Sequence, residues 1–368
     1  MPSRALEDLR VLDLSTSTAG AWCTRMLADF GARVLMVEPP AGHPLRAEAP
    51  FDGEGRSIPA QGYLANKESI VLDVTTAAGR DAVLALGRTC DVVVSSASPS
   101  QLAERGLSYE AFGAPALVMT HVTPYGVSGP LANERGNELT VAARSGWASI
   151  NGDAANVPLR PWGHQVAMCT GTAAYAATLG AVAHRDTHPG EGQEVDVAQL
   201  DVMVSAFAPA LLRGQYTGSA GKRRESADLL AGPVPVADGH FALTISRAHF
   251  WRDAMYTLGL PDLAEDPRWE ASWYRQQHKD EYVERVPEAM RGWAKADLFE
   301  ELAARRVVAG PVLTMPELRT NEHLNARGYW VEVAGEPFPG APYRMSATPW
   351  ELRQPAPPAG KHGEGWGE

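Results

Sequence analysis

Cysteine is scarce in this chain of 368 residues, which contains only Cys23, Cys90 and Cys169. The three are widely spaced and odd in number, and they form neither a CxxC pair nor a Cys/His cluster at metal-ligand spacing. This pattern excludes a disulfide framework and argues against a structural metal site. We therefore expect a protein of a reducing compartment that holds no metal.

Basic residues are also few: the chain has 33 Lys and Arg residues against 44 Asp and Glu residues, and its net charge is -11. Nucleic acids and anionic membrane surfaces require clustered basic residues, so we expect neither as a main partner and expect a small-molecule ligand instead. Residues 1–15, MPSRALEDLRVLDLS, lack an apolar segment of signal-peptide length. We expect a cytoplasmic protein.

Long runs of large apolar residues are missing too. The stretch that comes nearest to a membrane span, residues 165–183, is built mostly from Ala, Gly and Thr, which transfer into lipid weakly. We expect a buried helix and no membrane contact. Its small residues recur at steps of three and four, which lets another backbone approach closely. These residues are Ala167, Gly171, Ala174, Thr178 and Ala181.

The first half of the chain alternates short β-branched runs with helical stretches. This alternation predicts an α/β fold with a mostly parallel sheet, whose binding sites lie at the carboxyl ends of the strands. The predicted strands cover residues 10–14, 33–38, 69–73, 91–95, 116–121 and 190–197, and the predicted helices cover 21–30, 77–88, 100–113 and 165–185.

The chain is longer than a single core usually organises, so we expect two domains. Residues 1–215 form the first, and the stretch 216–232, rich in Gly, Ser and charge, is an exposed linker. Residues 233–318 form a second unit with a hairpin near Asp238 and Gly239, followed by helices. The final residues, PAPPAGKHGEGWGE, are expected to be loosely ordered.

Four segments together resemble the class III coenzyme A transferases, the family of carnitine CoA-transferase, formyl-CoA transferase and α-methylacyl-CoA racemase. The order and spacing of the segments match over nearly the whole chain. They are DLSTSTAGAWCTRMLADFGARVLMVEPPAG at 13–42, ANKESIVLDV at 65–74, TPYGVSGP at 123–130, and the run 158–197 that ends in GEGQEVDV.

The resemblance implies a Rossmann-like large domain made of residues 1–215 and a returning C-terminal segment, 319–368. Residues 233–318 become a small α+β domain inserted between them, and two ring-shaped chains interlock as a homodimer. The implied substrates are an acyl-CoA thioester and a carboxylic acid, so coenzyme A enters as part of a substrate.

The resemblance also implies contacts with CoA. The turn Thr18-Ala19-Gly20 opens a helix, where free amides meet anionic or carbonyl oxygens, although a tight strand-to-helix turn explains the same residues. Asn66 and Lys67 resemble the family's asparagine-x-lysine element, which contacts the CoA nucleotide, although the two residues are adjacent in this chain. A solvated surface lysine is the alternative.

The sequence departs from the family at the catalytic carboxylate. The transferases carry an aspartate five residues after a glycine, and the same count from Gly163 reaches Met168. That aspartate attacks the thioester, and a thioether has no such chemistry. Two cationic positions are also changed, to Met36 and to the loop SASPS at 96–100.

Three candidate catalytic residues remain near this position. Glu138 occupies the place of a family aspartate, and its carboxylate is the best substitute nucleophile. His164 lies at a helix start, where the dipole disfavours imidazolium, and is either a base, a ligand contact or a capping residue. Cys169 is either a packing residue or an acyl acceptor.

These features predict an acyl-CoA-handling enzyme that transfers CoA between a thioester and a carboxylic acid, or that catalyses a related acyl-group reaction without the family aspartate. Two alternatives stay open. One is a non-catalytic homologue that binds acyl groups or CoA, and the other is an enzyme on the same fold that acts on a substrate without CoA.

Overall fold

A computed structural model of the chain describes residues 4–152, 157–206, 208–218, 232–245, 248–363 and 365–366. The chain forms two compact units, one of Met1–Arg223 with Gly328–Glu368 and the other of Arg224–Arg327. Most of the predicted linker 216–232 lies outside the described residues, and a helix, Ala208–Thr217, covers its first two positions.

The first unit contains a six-stranded parallel sheet in the order β3-β2-β1-β4-β5-β6. The predicted α/β fold with a mostly parallel sheet is therefore confirmed. The strands could be predicted because each is a short β-branched run, as expected for strands buried between helical layers. The strands are β1 Arg10–Asp13, β2 Arg33–Glu38, β3 Glu68–Val71, β4 Val92–Ser95, β5 Val118–Thr123 and β6 Gln193–Ala198.

In the described residues of this unit, ten helices follow or precede the strands. The stretch predicted as one helix over 100–113 is two, because Gly106 adopts a left-handed φ of 64° and ends the first. They are α1 Thr18–Asp29, α2 Ile58–Leu64, α3 Ala77–Gly87, α4 Pro99–Arg105, α5 Tyr109–Phe112, α6 Glu138–Arg144, α7 Trp147–Ile150, α8 Gln165–Thr187, α9 Gln199–Ser205 and α10 Ala208–Thr217, with a short 3-10 helix at Pro44–Ala47.

The helix α8 packs on α1 and on the sheet through the small residues that the sequence placed on one face. All five of them are buried. The closest approach is at Gly171, where a Cβ atom would lie 2.5 Å from the carbonyl oxygen of Ala19 and 2.9 Å from the Trp22 side chain. By length and composition α8 could span a membrane, with a mean hydropathy of 1.4. Here its inner face forms one core with α1, β1, β4 and β5.

The second unit has its own core around the fully buried Trp251 and a three-stranded antiparallel sheet, β7-β8-β9. Residues 319–326, predicted to begin the returning segment, lie in the last two helices of this unit. Its elements are β7 Val234–Val236, β8 Gly239–Thr244, α11 Ala248–Thr257, α12 Pro261–Glu265, a 3-10 helix at Pro267–Glu270, α13 Ser272–Gln277, α14 Lys279–Met290, α15 Lys295–Ala304, β9 Val308–Pro311, α16 Met315–Thr320 and α17 Glu322–Ala326.

The C-terminal segment belongs to the first unit and is fixed along its described length. After the hairpin of β10 Trp330–Val333 and β11 Glu336–Pro339, the Trp350 indole donates to Asp29 Oδ2 at 2.8 Å. The amide of His362 donates to the backbone oxygen of Ser69 at 2.9 Å. For the described residues of the tail, 355–363 and 365–366, the expectation of loose order is therefore wrong, because local composition does not show the surface on which the tail packs.

A buried ion pair joins three elements beneath the sheet's carboxyl edge. Lys67 Nζ lies 3.0 Å from Asp13 Oδ2, and both side chains are fully buried. The ammonium also donates to the carbonyl oxygen of Ala21 and to Thr24 Oγ1, at 2.9 and 2.7 Å. Burial alone would raise the pKa of Asp13, but Lys67 and the hydroxyls of Ser15 and Thr24 outweigh it and hold that pKa below its ordinary value.

We predict that Lys67→Met lowers the free energy of unfolding by about 3 to 5 kcal/mol, because it leaves the Asp13 carboxylate buried without a counter-ion. Urea unfolding followed by circular dichroism measures the change. The control is Lys361→Met at an exposed lysine, which should change stability by less than about 0.5 kcal/mol. Equal effects of the two substitutions would contradict a structural role for Lys67.

Candidate functional site

The order in which the strands are added to the sheet reverses between β1 and β4. The loops that follow these two strands meet at the carboxyl edge of the sheet. The amide of Leu14 donates to the Val94 carbonyl oxygen at 2.8 Å, and the amide of Thr16 donates to Ser96 Oγ at 2.9 Å. In open α/β sheets this crevice is where ligands bind. The two loops therefore form the first half of the candidate site.

The turn Thr18-Ala19-Gly20 forms the first turn of α1 in this crevice. Ser17 caps the helix and accepts the Gly20 amide at 3.1 Å, so that amide is already bonded. Gly20 is required because a Cβ atom there would lie 2.4 Å from the Cβ of Ser15. Within the described part of the chain, the amides of Thr18 and Ala19 have no hydrogen-bond acceptor. Ala19 is buried in the core, whereas Thr18 is partly exposed, so the Thr18 amide is the group that a ligand oxygen can reach.

The SASPS loop supplies hydroxyl groups to the same edge. Ser98 caps α4 in a reciprocal capping box with Gln101, and its hydroxyl lies 3.0 Å from that of Ser100. Met36 is fully buried, in a small apolar cluster. Hydrogen-bond donors and an apolar side chain therefore stand where the resemblance implied cationic contacts.

Asn66 and Lys67 do not lie where a CoA phosphate could reach them. The Lys67 ammonium is fully buried and has three acceptors, as described above. Asn66 is buried at a φ of 62°, and its side chain donates to Asp29 and to the Glu351 carbonyl oxygen. The predicted CoA contacts of both residues are corrected to internal structural roles, because their polar groups are occupied by the protein.

The second half of the site is the first turn of α8. Glu138, the first residue of α6, accepts the amide of Ala167 at 2.8 Å through Oε1 and the amide of Val166 at 3.1 Å through Oε2. Partial burial raises the pKa of this carboxyl above its ordinary value, although these amides and His164 oppose the shift. A raised pKa makes the carboxylate more basic and hence a better nucleophile.

His164 lies directly before α8 and contacts two residues that the sequence did not single out. Its Nε2 atom donates to Glu48 Oε1 at 2.9 Å, and its ring meets the Tyr63 ring edge-on at 5.5 Å. Tyr63 in turn packs edge-on against Trp22 at 5.9 Å. Burial, followed by the charges of Glu138 and Glu48, raises the pKa of Tyr63 to about 12. The predicted histidine thus lies in a polar and aromatic cluster.

Met168 and Cys169 follow in the same turn. Met168 is half-buried and donates its amide to the His164 carbonyl oxygen at 2.8 Å. Cys169 is exposed, and partial desolvation together with the Glu138 carboxylate raises the pKa of its thiol. A raised pKa leaves little thiolate at neutral pH, which makes Cys169 a poor acyl acceptor.

The two halves of the site adjoin through the close contact of α1 with α8. Gly171, against which Ala19 packs, lies one turn beyond Met168, so the free amides of α1 are close to the first turn of α8. The structure thus brings together Thr18, Ala19, Glu138, His164 and Met168. No group of three or more potential metal ligands occurs within the described residues.

Sequence reasoning missed Glu48, Tyr63 and Trp22. Glu48 and Tyr63 lie outside the segments that carry the family resemblance, and Trp22 lies in the segment 13–42 without a chemical role that its position would suggest. Glu48 and Tyr63 contact His164 directly before α8, and the Trp22 indole donates to Thr172 Oγ1 on α8 at 3.1 Å. These contacts depend on the tertiary packing of α1 and α2. The sequence contained no local signal for them.

Comparison with known proteins gives a family match over nearly the whole chain. The model of CoA-transferase family III matches residues 6–363. The succinate–glutarate CoA-transferase of Agrobacterium fabrum is 32% identical over 98% of this chain and 95% of its own length. Subunit BbsE of the succinyl-CoA:(R)-benzylsuccinate CoA-transferase of Thauera aromatica is also 32% identical, over 96% of this chain and 91% of that one.

Solved structures agree. A CaiB/BaiF family protein from Brucella suis has a TM-score of 0.91 at 27% identity, covering 98% of this chain and 97% of that one. Rv3272 from M. tuberculosis has a TM-score of 0.85 at 25% identity, covering 98% and 99%. From the sequence segments, the sheet and these matches, the chain belongs to CoA-transferase family III.

Proposed function

We propose that this chain transfers CoA from an acyl thioester to a carboxylic acid and that Glu138 is the carboxylate that carries the intermediates. The observation that supports this most is the position of Glu138, which is held by two amides at the first turn of α8, beside Met168. Family members are CoA-transferases by name. Met168 occupies the position expected for the family aspartate, so the proposed reaction requires another carboxylate as the nucleophile.

In the proposed reaction, a Glu138 oxygen attacks the thioester carbonyl and the carbon–sulfur bond breaks. A mixed anhydride forms and CoA leaves as the thiolate. The thiolate then attacks the Glu138 carboxyl carbon, which releases the first acid and leaves a glutamyl-CoA thioester. The acceptor carboxylate runs the same two steps in reverse and regenerates Glu138. No net proton transfer is needed.

The amides that hold Glu138 also suit its later intermediates. Oε2, with the longer bond from Val166 at 3.1 Å, is the oxygen freer to attack, and Oε1 keeps the shorter bond from Ala167 at 2.8 Å. When the thiolate adds to the carboxyl carbon, negative charge develops on Oε1. A preorganised amide at a helix start stabilises such charge. CoA would lie across the β1–β4 crevice, with an oxygen at the amide of Thr18.

A second candidate is a non-catalytic subunit that binds CoA or acyl-CoA. Met168 favours it, and so does the likeness to a chain named as a subunit of its enzyme. The two functions differ in one observable, because only a catalytic chain forms a covalent CoA thioester. Isothermal titration with acyl-CoA beside a transfer assay separates them.

We predict that Glu138→Gln lowers kcat/KM for CoA transfer by roughly 1000-fold or more, since an amide does not form the anhydride. Wild type incubated with acyl-CoA and then hydroxylamine should carry a hydroxamate on the peptide containing Glu138, found by mass spectrometry. The matched control is Glu134→Gln, at an exposed carboxylate near α6, which should keep full activity. Full transfer by folded Glu138→Gln would refute the assignment.

We predict that Met168→Asp creates or raises CoA transfer, because it returns a carboxylate to the family position. In the Glu138→Gln background the same substitution should restore transfer and move the trapped group to the peptide with position 168. A charge in a half-buried setting lowers stability, so folding is checked first by circular dichroism. If folded Met168→Asp is inactive while wild type transfers CoA, position 168 is not the equivalent of the family aspartate.

We also propose that two copies form an interlocked homodimer. Supporting it, α10 exposes large apolar side chains at Leu211, Leu212 and Tyr216, the last with 78% of its surface exposed. Light scattering should give about twice the 39.5 kDa mass of one chain. A monomer at micromolar concentration would contradict the proposal.

A further inference from the structure

Arg160 is held beside the start of α8 by the loop that precedes this helix. The Asn151 side chain donates to the carbonyl oxygen of Leu159 at 3.0 Å, and Pro161 is buried, so the chain on both sides of Arg160 is fixed. The Arg160 side chain is exposed, and one terminal nitrogen donates to the carbonyl oxygen of Gly163 at 3.1 Å and to that of Pro161 at 3.3 Å. These two bonds keep the guanidinium next to the residues that lead into α8.

The positive charge of Arg160 is not neutralised by a carboxylate in the described part of the chain. Both of its acceptors are backbone carbonyl groups, and both are reached by the same nitrogen. Arg46, by contrast, pairs with Glu38 at 2.7 Å. The positive end of the α8 dipole adds to the Arg160 charge. The Nε atom and the second terminal nitrogen are therefore available to a carboxylate, which a guanidinium binds through two parallel hydrogen bonds.

Arg160 acts on the reactive end of the site. Its acceptor Gly163 is three residues before Val166, whose amide holds Glu138. Burial raises the pKa of Glu138, and the charges of His164 and Arg160 act against this rise together with the two amides that hold the carboxylate. The phosphates of CoA lie at the other end of its pantetheine arm, away from the thioester that Glu138 attacks. An anionic group that meets Arg160 therefore belongs to the acyl group or to the acid, not to the nucleotide.

Two carboxylates lie at the same end of the site, and neither of these two described side chains forms an ion pair with Arg160. Glu48 Oε1 lies 2.9 Å from His164 Nε2. Glu138 accepts two amides of α8, and in the proposed reaction it becomes an uncharged thioester before the second acid enters. Arg160 keeps its charge at that stage, because a guanidinium does not deprotonate in proteins. Glu138 then no longer competes with the incoming acid for this charge.

From this arrangement we infer that Arg160 is a specificity-determining residue that binds a second carboxylate of the substrate, so that the acids which give and receive CoA here are dicarboxylic. The inference rests on the proposed function. One carboxylate of such an acid reacts at Glu138, and the other forms hydrogen bonds with the Nε atom and the second terminal nitrogen of Arg160. A monocarboxylic acid leaves this charged edge without a partner and gains no such bonds.

The test uses two unreactive thioethers, carboxypropyl-CoA and butyl-CoA, which are alike except that one ends in a carboxylate and the other in a methyl group. Neither has a thioester bond for Glu138 to attack, so binding is measured without turnover. Isothermal titration of the wild-type protein at pH 7 and low salt should show carboxypropyl-CoA bound at least about tenfold more tightly, a typical gain for a charge-assisted pair. Raising the salt concentration should narrow this ratio, because the guanidinium is exposed.

Arg160→Gln should narrow the ratio to below about threefold by weakening the binding of carboxypropyl-CoA alone. Arg160→Lys keeps the charge but loses the planar pair of donors, so it should keep a ratio between about threefold and tenfold. A merely structural role of Arg160 would change both affinities together. The matched control is Arg88→Gln, which should leave the ratio unchanged. Arg88 is also exposed and also donates to a backbone carbonyl oxygen, that of Phe112, but it follows the C-terminus of α3.

Equal affinities of the wild-type protein for the two thioethers, or an unchanged ratio in Arg160→Gln, overturn the inference. If CoA transfer is observed all the same, the proposed function stands. Preference for carboxypropyl-CoA by a protein that transfers no CoA from succinyl-CoA supports the role of Arg160 and refutes catalysis. Binding of neither thioether refutes both.

Discussion

The candidate site depends on the buried ion pair between Asp13 and Lys67. Asp13 ends β1, Lys67 directly precedes β3, and the hydroxyl of Thr24 on α1 bonds to both. These bonds fix the position of the first turn of α1 over the sheet, and with it the amides of Thr18 and Ala19. Transfer of two charges out of water costs several kcal/mol, which the pair regains only with saturated hydrogen bonding. Here the Lys67 ammonium has three hydrogen-bond acceptors, so its hydrogen bonding is saturated. The crevice is therefore held in one arrangement before a ligand binds.

The fold could be predicted because its signals are local. β2 has the predicted bounds, Arg33–Glu38, since a β-branched run between a glycine and a proline pair is readable from a few residues. The roles of Lys67 and Asn66 are not local. Lys67 pairs with a carboxylate 54 residues away, and Asn66 bonds to the backbone of Glu351, 285 residues away. Matching a family motif located both residues but gave no information on whether their polar groups face solvent.

Only part of the candidate site was predicted, because the contacts that complete it are also long-range. Glu138 was found because it occupies the place of another family aspartate, and His164 because it lies four residues before Met168 at a predicted helix start. What orients His164 was not found, since Glu48 and Tyr63 belong to the segment around α2 and reach the start of α8 only through the packing of α1 on α8. Gly171 permits that packing by leaving room for the Ala19 carbonyl group. Small residues at helical spacing predicted a close contact but not the helix that makes it.

In the proposed reaction, a glutamate on α6 takes the role of an aspartate on α8, and this changes the energetics of the nucleophile. An aspartate on the first turn would stand on the helix whose dipole stabilises it. Glu138 belongs to another helix, α6, and its two oxygens accept hydrogen bonds from the amides of Val166 and Ala167 in that turn. Attack through either oxygen therefore begins with the loss of one charge-assisted hydrogen bond, worth roughly 1.5 to 3 kcal/mol. Burial acts in the other direction, since it raises the pKa of Glu138 and destabilises the resting carboxylate. The released amide can then donate to the oxygen of the incoming thioester. The hydrogen bond that restrains the resting nucleophile is thus replaced by one that stabilises the tetrahedral intermediate.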